Sequence, residues 1–163
     1  MKKIVSLLIA LIMVFSFAAC SQGDDSGEQN NTAVTVDLAA VKAEMIEKLS
    51  PADPISLEAQ SLLDLYGIAA EDIASSACYT TMDGVFPEEV IMVEAKDAEA
   101  LKRIEEKMNN RIGEVKVQSQ NYDAENYAIA QKCEVQKNGN YIAMFLSPDY
   151  DSLTEIFSSY FNG

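Results

Sequence analysis

Apolar and polar positions divide the chain into three stretches. Ile4 to Ala19 carries no charged side chain and follows Met1-Lys2-Lys3. A basic start, an apolar run and small residues at its exit form the pattern of a secretory signal peptide. A membrane-crossing helix takes about twenty apolar residues, so the run reads as a leader and not as a span. Ser21 to Thr35 has no hydrophobic period and is rich in Ser, Asn, Gln, Gly and Asp. That composition predicts a flexible tether with a root-mean-square reach of ~20 Å. From Val36 onward periodic apolar segments return, over a length suited to one domain. The expected divisions are therefore 1–19, 20–35 and 36–163.

Within the last stretch, several segments carry a helical period. Leu38, Val41, Met45 and Leu49 fall on one face before Pro51, Asp37 stands at the N-cap, and Val36 with Val41 holds the staple positions. A second helix is expected over Leu57 to Tyr66 after Ser56, stopped by Gly67, with Leu63 and Ile68 at the spacing of the apolar stop contact. The longest runs from Ala98 to about Val117, with Leu101, Ile104, Met108, Ile112 and Val115 on a stripe and Lys102, Arg103, Glu105, Glu106 and Lys107 on the solvated faces. A shorter one is expected near Asp123 to Ala130, with Tyr122 and Tyr127 at staple spacing. The last buries Leu153, Ile156, Phe157, Tyr160 and Phe161. Ser147 would cap it, with Pro148 in its first position.

Strands are marked by two turns. "CYTTMDG" (Cys78 to Gly84) and "CEVQKNG" (Cys133 to Gly139) share a cysteine, four residues, an Asp or Asn, and a glycine. Asp-Gly and Asn-Gly favour tight turns because both residues tolerate positive φ. Each is followed by an apolar strand, "VIMVEA" from Val90 or "YIAMFL" from Tyr141, and then by a helix opening at Asp97 or Asp149. Two strand–turn–strand–helix units follow, a suggested internal echo. The expected fold is α+β: a four-stranded antiparallel sheet from two hairpins, with helices packed on one face after two N-terminal helices.

The end of the leader reads Phe17-Ala18-Ala19-Cys20. This resembles the lipobox of bacterial lipoproteins, in which a small pair precedes a cysteine that receives a diacylglyceryl group before cleavage. Phe17 stands where that pattern usually has leucine. The resemblance makes Cys20 the lipidated first residue of the mature chain and the lipid bilayer its first partner. Two acyl chains hold a protein firmly where one is marginal.

Charge narrows the remaining partners. The chain has 12 basic and 26 acidic side chains, net −14, and losing Lys2 and Lys3 with the leader takes this to −16. Such a surface repels phosphate backbones and anionic head groups, so no nucleic acid is expected as a partner. Histidine is absent, which removes Ser-His-Asp and Cys-His machinery and the commonest metal ligand. There is no phosphate loop, dinucleotide fingerprint or calcium loop, and no catalytic residue, metal ligand or cofactor is assigned. Asp149 with Asp151, and Glu88 with Glu89, read as helix-start and solvated strand-start acids before they read as cation sites.

Two further features carry hypotheses. Cys78 and Cys133 are either buried apolar positions, the commoner use of a free cysteine, or a disulfide that export permits. Val85, Phe86 and Pro87, in "DGVFPEE", put apolar side chains in a connection. That loop either folds back onto the core or forms a partner-binding tip.

Taken together, the lipobox, the acidic tether, "YGI", "EEVIMVEAKD", "NYDAENYAIA" and "KNGNYIAMFLSPDYDSL" resemble a bacterial lipoprotein family described as domain of unknown function 4358. The likeness runs from about Val36 to Phe161 and is strongest at Glu89, at Gly139-Asn140-Tyr141 and at Asp149. It implies a membrane-anchored extracytoplasmic domain, and it brings no activity, ligand or site residue. The expected function is a non-enzymatic binding or accessory module of the cell envelope, engaging an envelope protein or small ligand. The alternative is a carboxylate-dependent envelope hydrolase, which needs two acids facing each other across a cleft.

Overall fold

The computed structural model describes residues 35–82 and 87–162. Helix α1 (Leu38–Leu49) opens where the Asp37 carboxylate accepts hydrogen bonds from the Ala39 and Ala40 amides, at 2.9 and 3.4 Å. It closes at Ser50, which takes a left-handed φ of 49° directly before Pro51. Strand β1 (Ile55–Leu57) comes next, then α2 (Ala59–Tyr66). Leu57 thus ends a strand and does not start the helix, because β1 pairs with β3 some twenty residues later. At the other end of α2, Gly67 adopts φ 67°, and the Gly67 and Ile68 amides donate to the Leu63 and Leu62 carbonyls. Leu62 shares the core with Ile68, whereas Leu63 is exposed, so the expected Leu63–Ile68 stop contact is replaced by Leu62.

A 3₁₀ turn (Ala70–Asp72) leads into β2 (Ile73–Ser76) and β3 (Cys78–Thr80). The Ala77 amide between them donates to the Met92 carbonyl at 3.0 Å. β2 and β3 therefore form one interrupted strand along a single edge of β4 (Glu89–Ala95). Helix α3 (Ala98–Ser119) is capped by Asp97 through the Glu99 and Ala100 amides. Ala100, Ile104, Met108, Ile112 and Val115 form its buried stripe, with Leu101 only half-buried beside it. Asp123 caps α4 (Ala124–Lys132), while Tyr122 is 92% exposed, so no staple with Tyr127 forms there.

Strands β5 (Gln136–Asn138) and β6 (Tyr141–Leu146) make a hairpin on the two-residue turn Gly139-Asn140. Gly139 supplies φ 57° at the first turn position, which a type II′ turn reserves for glycine. Helix α5 (Tyr150–Ser159) starts later than the sequence suggests. Ser147 accepts from the Asp149 amide at 3.1 Å, one turn ahead of the helix, and so orders the approach to it instead of capping it.

The sheet is antiparallel, in the order β1-β3-β4-β6-β5, with β2 beside β4. It has six strands where four were expected. The additional ones, β1 and β2, are short, and β1 has no buried residue. The central pair β4–β6 matches over six positions, from Glu89↔Leu146 to Glu94↔Tyr141.

Helices cover both faces of this sheet, which corrects the one-face expectation. Ile91, Val93, Ile142, Met144 and Leu146 pack with buried residues of α2, α3 and α4. Val90, Met92, Ala143 and Phe145 pack with Val41 and Met45 of α1 and Leu153 and Phe157 of α5. A sheet buried on both faces needs near-continuous apolar strands, which "VIMV" and "YIAMFL" are. The two-faced layering also removes the internal echo as a duplication. Adjacent antiparallel strands exchange only under a twofold normal to the sheet, and that axis would put α3 and α5 on the same face.

Candidate functional site

Helix α3 presents two arginines beside its apolar stripe, and each is tied to an acid of the sheet layer. Arg103 grips Asp72 with two nitrogens, Nε at 3.0 Å from Oδ2 and Nη2 at 2.5 Å from Oδ1. Arg111 does the same to Glu89: Nε lies 3.1 Å from both carboxylate oxygens and Nη2 2.5 Å from Oε1. The two pairs differ in exposure. The Arg103 side chain is 56% exposed, against 23% for Arg111 and 3% for the Glu89 side chain.

Arg103 holds the Asp72 carboxyl below the usual carboxylate range by hydrogen bonding, although burial pushes the other way. A depressed carboxyl contributes stability that is complete above its unfolded value, about pH 3.9, and is lost as pH falls through the folded value. Thermal melts should therefore decline below about pH 4, and Asp72→Asn should flatten that decline while lowering stability at neutral pH.

The Arg111–Glu89 pair forms the floor of a cleft of about 240 Å³. Tyr66, the last residue of α2, and Thr80, the last of β3, complete its inner wall. Leu65, Met82 and Pro87 form the apolar rim. Leu65 is 58% exposed and Met82 74%. Burial, reinforced by the neighbouring Glu89 charge, pushes the Tyr66 phenol well above its ordinary value, so it is neutral. Hydrogen bonding to Glu89 raises Arg111, so the guanidinium is charged. Its remaining nitrogen, Nη1, faces Glu114 at 3.5 Å, a carboxylate at the surface.

Glu89 was expected as a solvated strand-start acid, and the structure corrects this: it is 2% exposed. Its neighbour Glu88 turns the other way along the strand and accepts from the Ser147 hydroxyl at 2.6 Å. Adjacent strand residues face opposite sides of a sheet, so the two acids do not converge. Among the described residues, Glu89 is the one carboxylate lining this cleft, and a guanidinium occupies both of its oxygens. Among the described residues, no group of three Cys, Asp or Glu side chains is placed to hold a metal ion. Asp151 pairs with Lys132, and Asp149 is exposed. A more open groove of about 310 Å³ lies between α1 and α5, where Glu44 binds Lys48 and accepts from the Tyr160 hydroxyl.

The sequence model of a family described as a domain of unknown function (DUF4358) matches residues 48–147. The chain belongs to that family. No curated protein and no solved structure matches it. The DUF4358 match spans β1 to β6 and thus every residue of the cleft. Most of α1 and all of α5 lie outside it.

The other residues singled out from the sequence fall in different places. Cys20, Val85 and Phe86 lie outside the described residues. Pro87 is half-buried at the cleft rim. Cys78 sits on β3, and its thiol donates to the Met92 carbonyl at 3.4 Å; Cys133 closes α4. Both are free and buried in this structure. Cys133 belongs to no strand, and the matching positions in the two turn motifs are not equivalent in space. Burial pushes the Cys78 thiol up to about 12 and Cys133 up to about 11. The thiolate is the reactive form, so iodoacetamide at pH 8 should label neither residue in the folded protein and both in denaturant. Peptide mass mapping checks this. Labelling in the native state would show that the helix layer over them opens.

Tyr66 and Arg111 were not anticipated. Arg111 had a local mark, a long cationic side chain next to the stripe residues Met108 and Ile112. Its partner Glu89 had another, an acid abutting an apolar strand.

Proposed function

We propose that this chain is a lipid-anchored, extracytoplasmic binding module whose contact site is the Tyr66–Glu89–Arg111 cleft. The anchor reading rests on the basic, apolar and small-residue leader that ends at Cys20, with the polar tether after it. The site reading rests on one observation: the cleft combines a fixed, charge-neutralised floor with an apolar rim left in water at Leu65 and Met82. Exposed apolar side chains around a concave polar centre mark recognition surfaces. Arg111 and Tyr66 belong to the residue types that dominate interface energetics. Among the described residues the cleft holds one carboxylate, and its clamp by a guanidinium suits recognition better than acid–base chemistry, which would need a second acid opposite it.

Two experiments test the proposal. Cys20→Ala should leave the protein unprocessed or release it from membranes, and normal maturation with retention would overturn the anchor. A photo-crosslinking residue at position 82 of the anchored protein should give a defined adduct in cells. The same residue at Lys102, on the exposed side of α3, should give none. Equal adducts from both positions, or none from position 82, would overturn the cleft as the contact site.

A further inference from the structure

We infer that the occupant of the cleft is one apolar side chain of a partner polypeptide, carried on an extended segment with lysine or arginine beside it. This rests on the cleft reading above and adds the class of ligand.

Size is the first argument. Pockets for whole small molecules and cofactors run from about 300 to 1,000 Å³. At about 240 Å³ this cleft falls below that range and suits a single side chain. Charge is the second. Arg111 and Glu89 stand in direct contact, so their fields largely cancel at any third group placed above them. An ionised ligand group would lose its hydration and find no net opposite charge in return. The floor therefore favours an uncharged group that can hydrogen-bond.

A peptide unit meets that description. Among the described residues Arg111 Nη1 pairs with Glu114 alone, at 3.5 Å, which leaves an N–H group available to a carbonyl oxygen. The neutral Tyr66 phenol stands beside Glu89 on the same inner wall and carries no charge that would repel a peptide. The rim of Leu65, Met82 and Pro87 supplies apolar contact for the side chain that enters. Net charge chooses the flanks. The chain without its leader carries −16, and the carboxylate facing Arg111 Nη1, Glu114, is 59% exposed. Basic residues on either side of the apolar one are attracted there, whereas an anionic bilayer surface is repelled.

The test is fluorescence anisotropy with the full chain in detergent and end-blocked, labelled pentapeptides: two lysines, a central residue, two lysines. Leucine- or phenylalanine-centred peptides should bind saturably. A serine centre, or glutamates in place of lysines, should weaken binding at least tenfold. Met82→Asp should do the same without moving the thermal melt, since Met82 is 74% exposed. Binding that ignores the central residue, binding that survives Met82→Asp, or no binding of any peptide would each overturn the inference. Position 82 separates this failure from that of the function proposed above. An adduct there in cells, with no peptide bound, overturns the ligand class and leaves the cleft standing. Absence of both overturns the two together.

Discussion

Replacing Arg111 with alanine should destabilise the domain by about 3–5 kcal/mol, the usual cost of removing one partner from a buried ion pair. The carboxylate left behind is 2% exposed, at the start of the central strand, with three hydrogen bonds gone. Most of the loss is the desolvation of an unpaired charge and not the worth of the pair itself. Replacing both partners with leucine should therefore recover most of the stability, because an apolar pair of similar volume carries no such penalty. Arg103→Ala provides the contrast. Its side chain is 56% exposed, so water and salt already weaken that pair and can reach Asp72 once it is gone, and a smaller loss than for Arg111→Ala is expected. Urea unfolding of the four proteins reads all of this. A loss below about 1 kcal/mol for Arg111→Ala would mean that water reaches Glu89, and the neutral floor of the cleft would fall with it.

That pair also shows why the site was hardly legible in the sequence. Capped, amphipathic segments could be read locally: Asp37 and Asp97 do stand at the N-caps of α1 and α3, and the stripe from Ile104 to Val115 is buried as its spacing predicts. The strands β4 and β6 were likewise visible as apolar runs. What failed were features fixed by distant parts of the chain. β1 is a strand because Ile55 to Leu57 finds Cys78 to Thr80, and three residues with no buried side chain carry no period to detect. Glu89 is buried because Arg111 reaches it from 22 residues away. Next to Glu88 in "PEEV", nothing local separates it from a solvated acid. Tyr66 reads as a helix-end aromatic until Gly67 turns the chain and β4 passes beneath it. The cleft is made by four elements that meet only in the fold, so its parts were visible singly and its arrangement was not.

The layering was a different kind of miss, since its mark was present, and it carries the other large prediction. Helices on a single face of a sheet leave every second residue of a strand in water, which shows as alternation. In β6 there is none: all six residues from Tyr141 to Leu146 are buried. Successive β6 residues therefore report on opposite faces. Ile142 faces the layer of α2, α3 and α4, and Phe145 faces α1 and α5. Phe145 packs edge-on against Phe157, with centroids 5.9 Å apart, and Phe157 in turn against Phe161 at 5.0 Å. Phe145→Ala should cost about 3–5 kcal/mol and Ile142→Ala about 2–5 kcal/mol, the ranges for buried side chains with cavities left behind. A one-face sheet predicts instead that only one of the two matters. The faces can be told apart further, because Phe145→Ala combined with Phe157→Ala should cost less than the sum of the two. Each removes the other's partner, and residues in contact couple. Ile142→Ala with Phe157→Ala should add, since the sheet stands between them. If Phe145→Ala costs under about 1 kcal/mol, α1 and α5 do not seal that face, and the second layer is wrong.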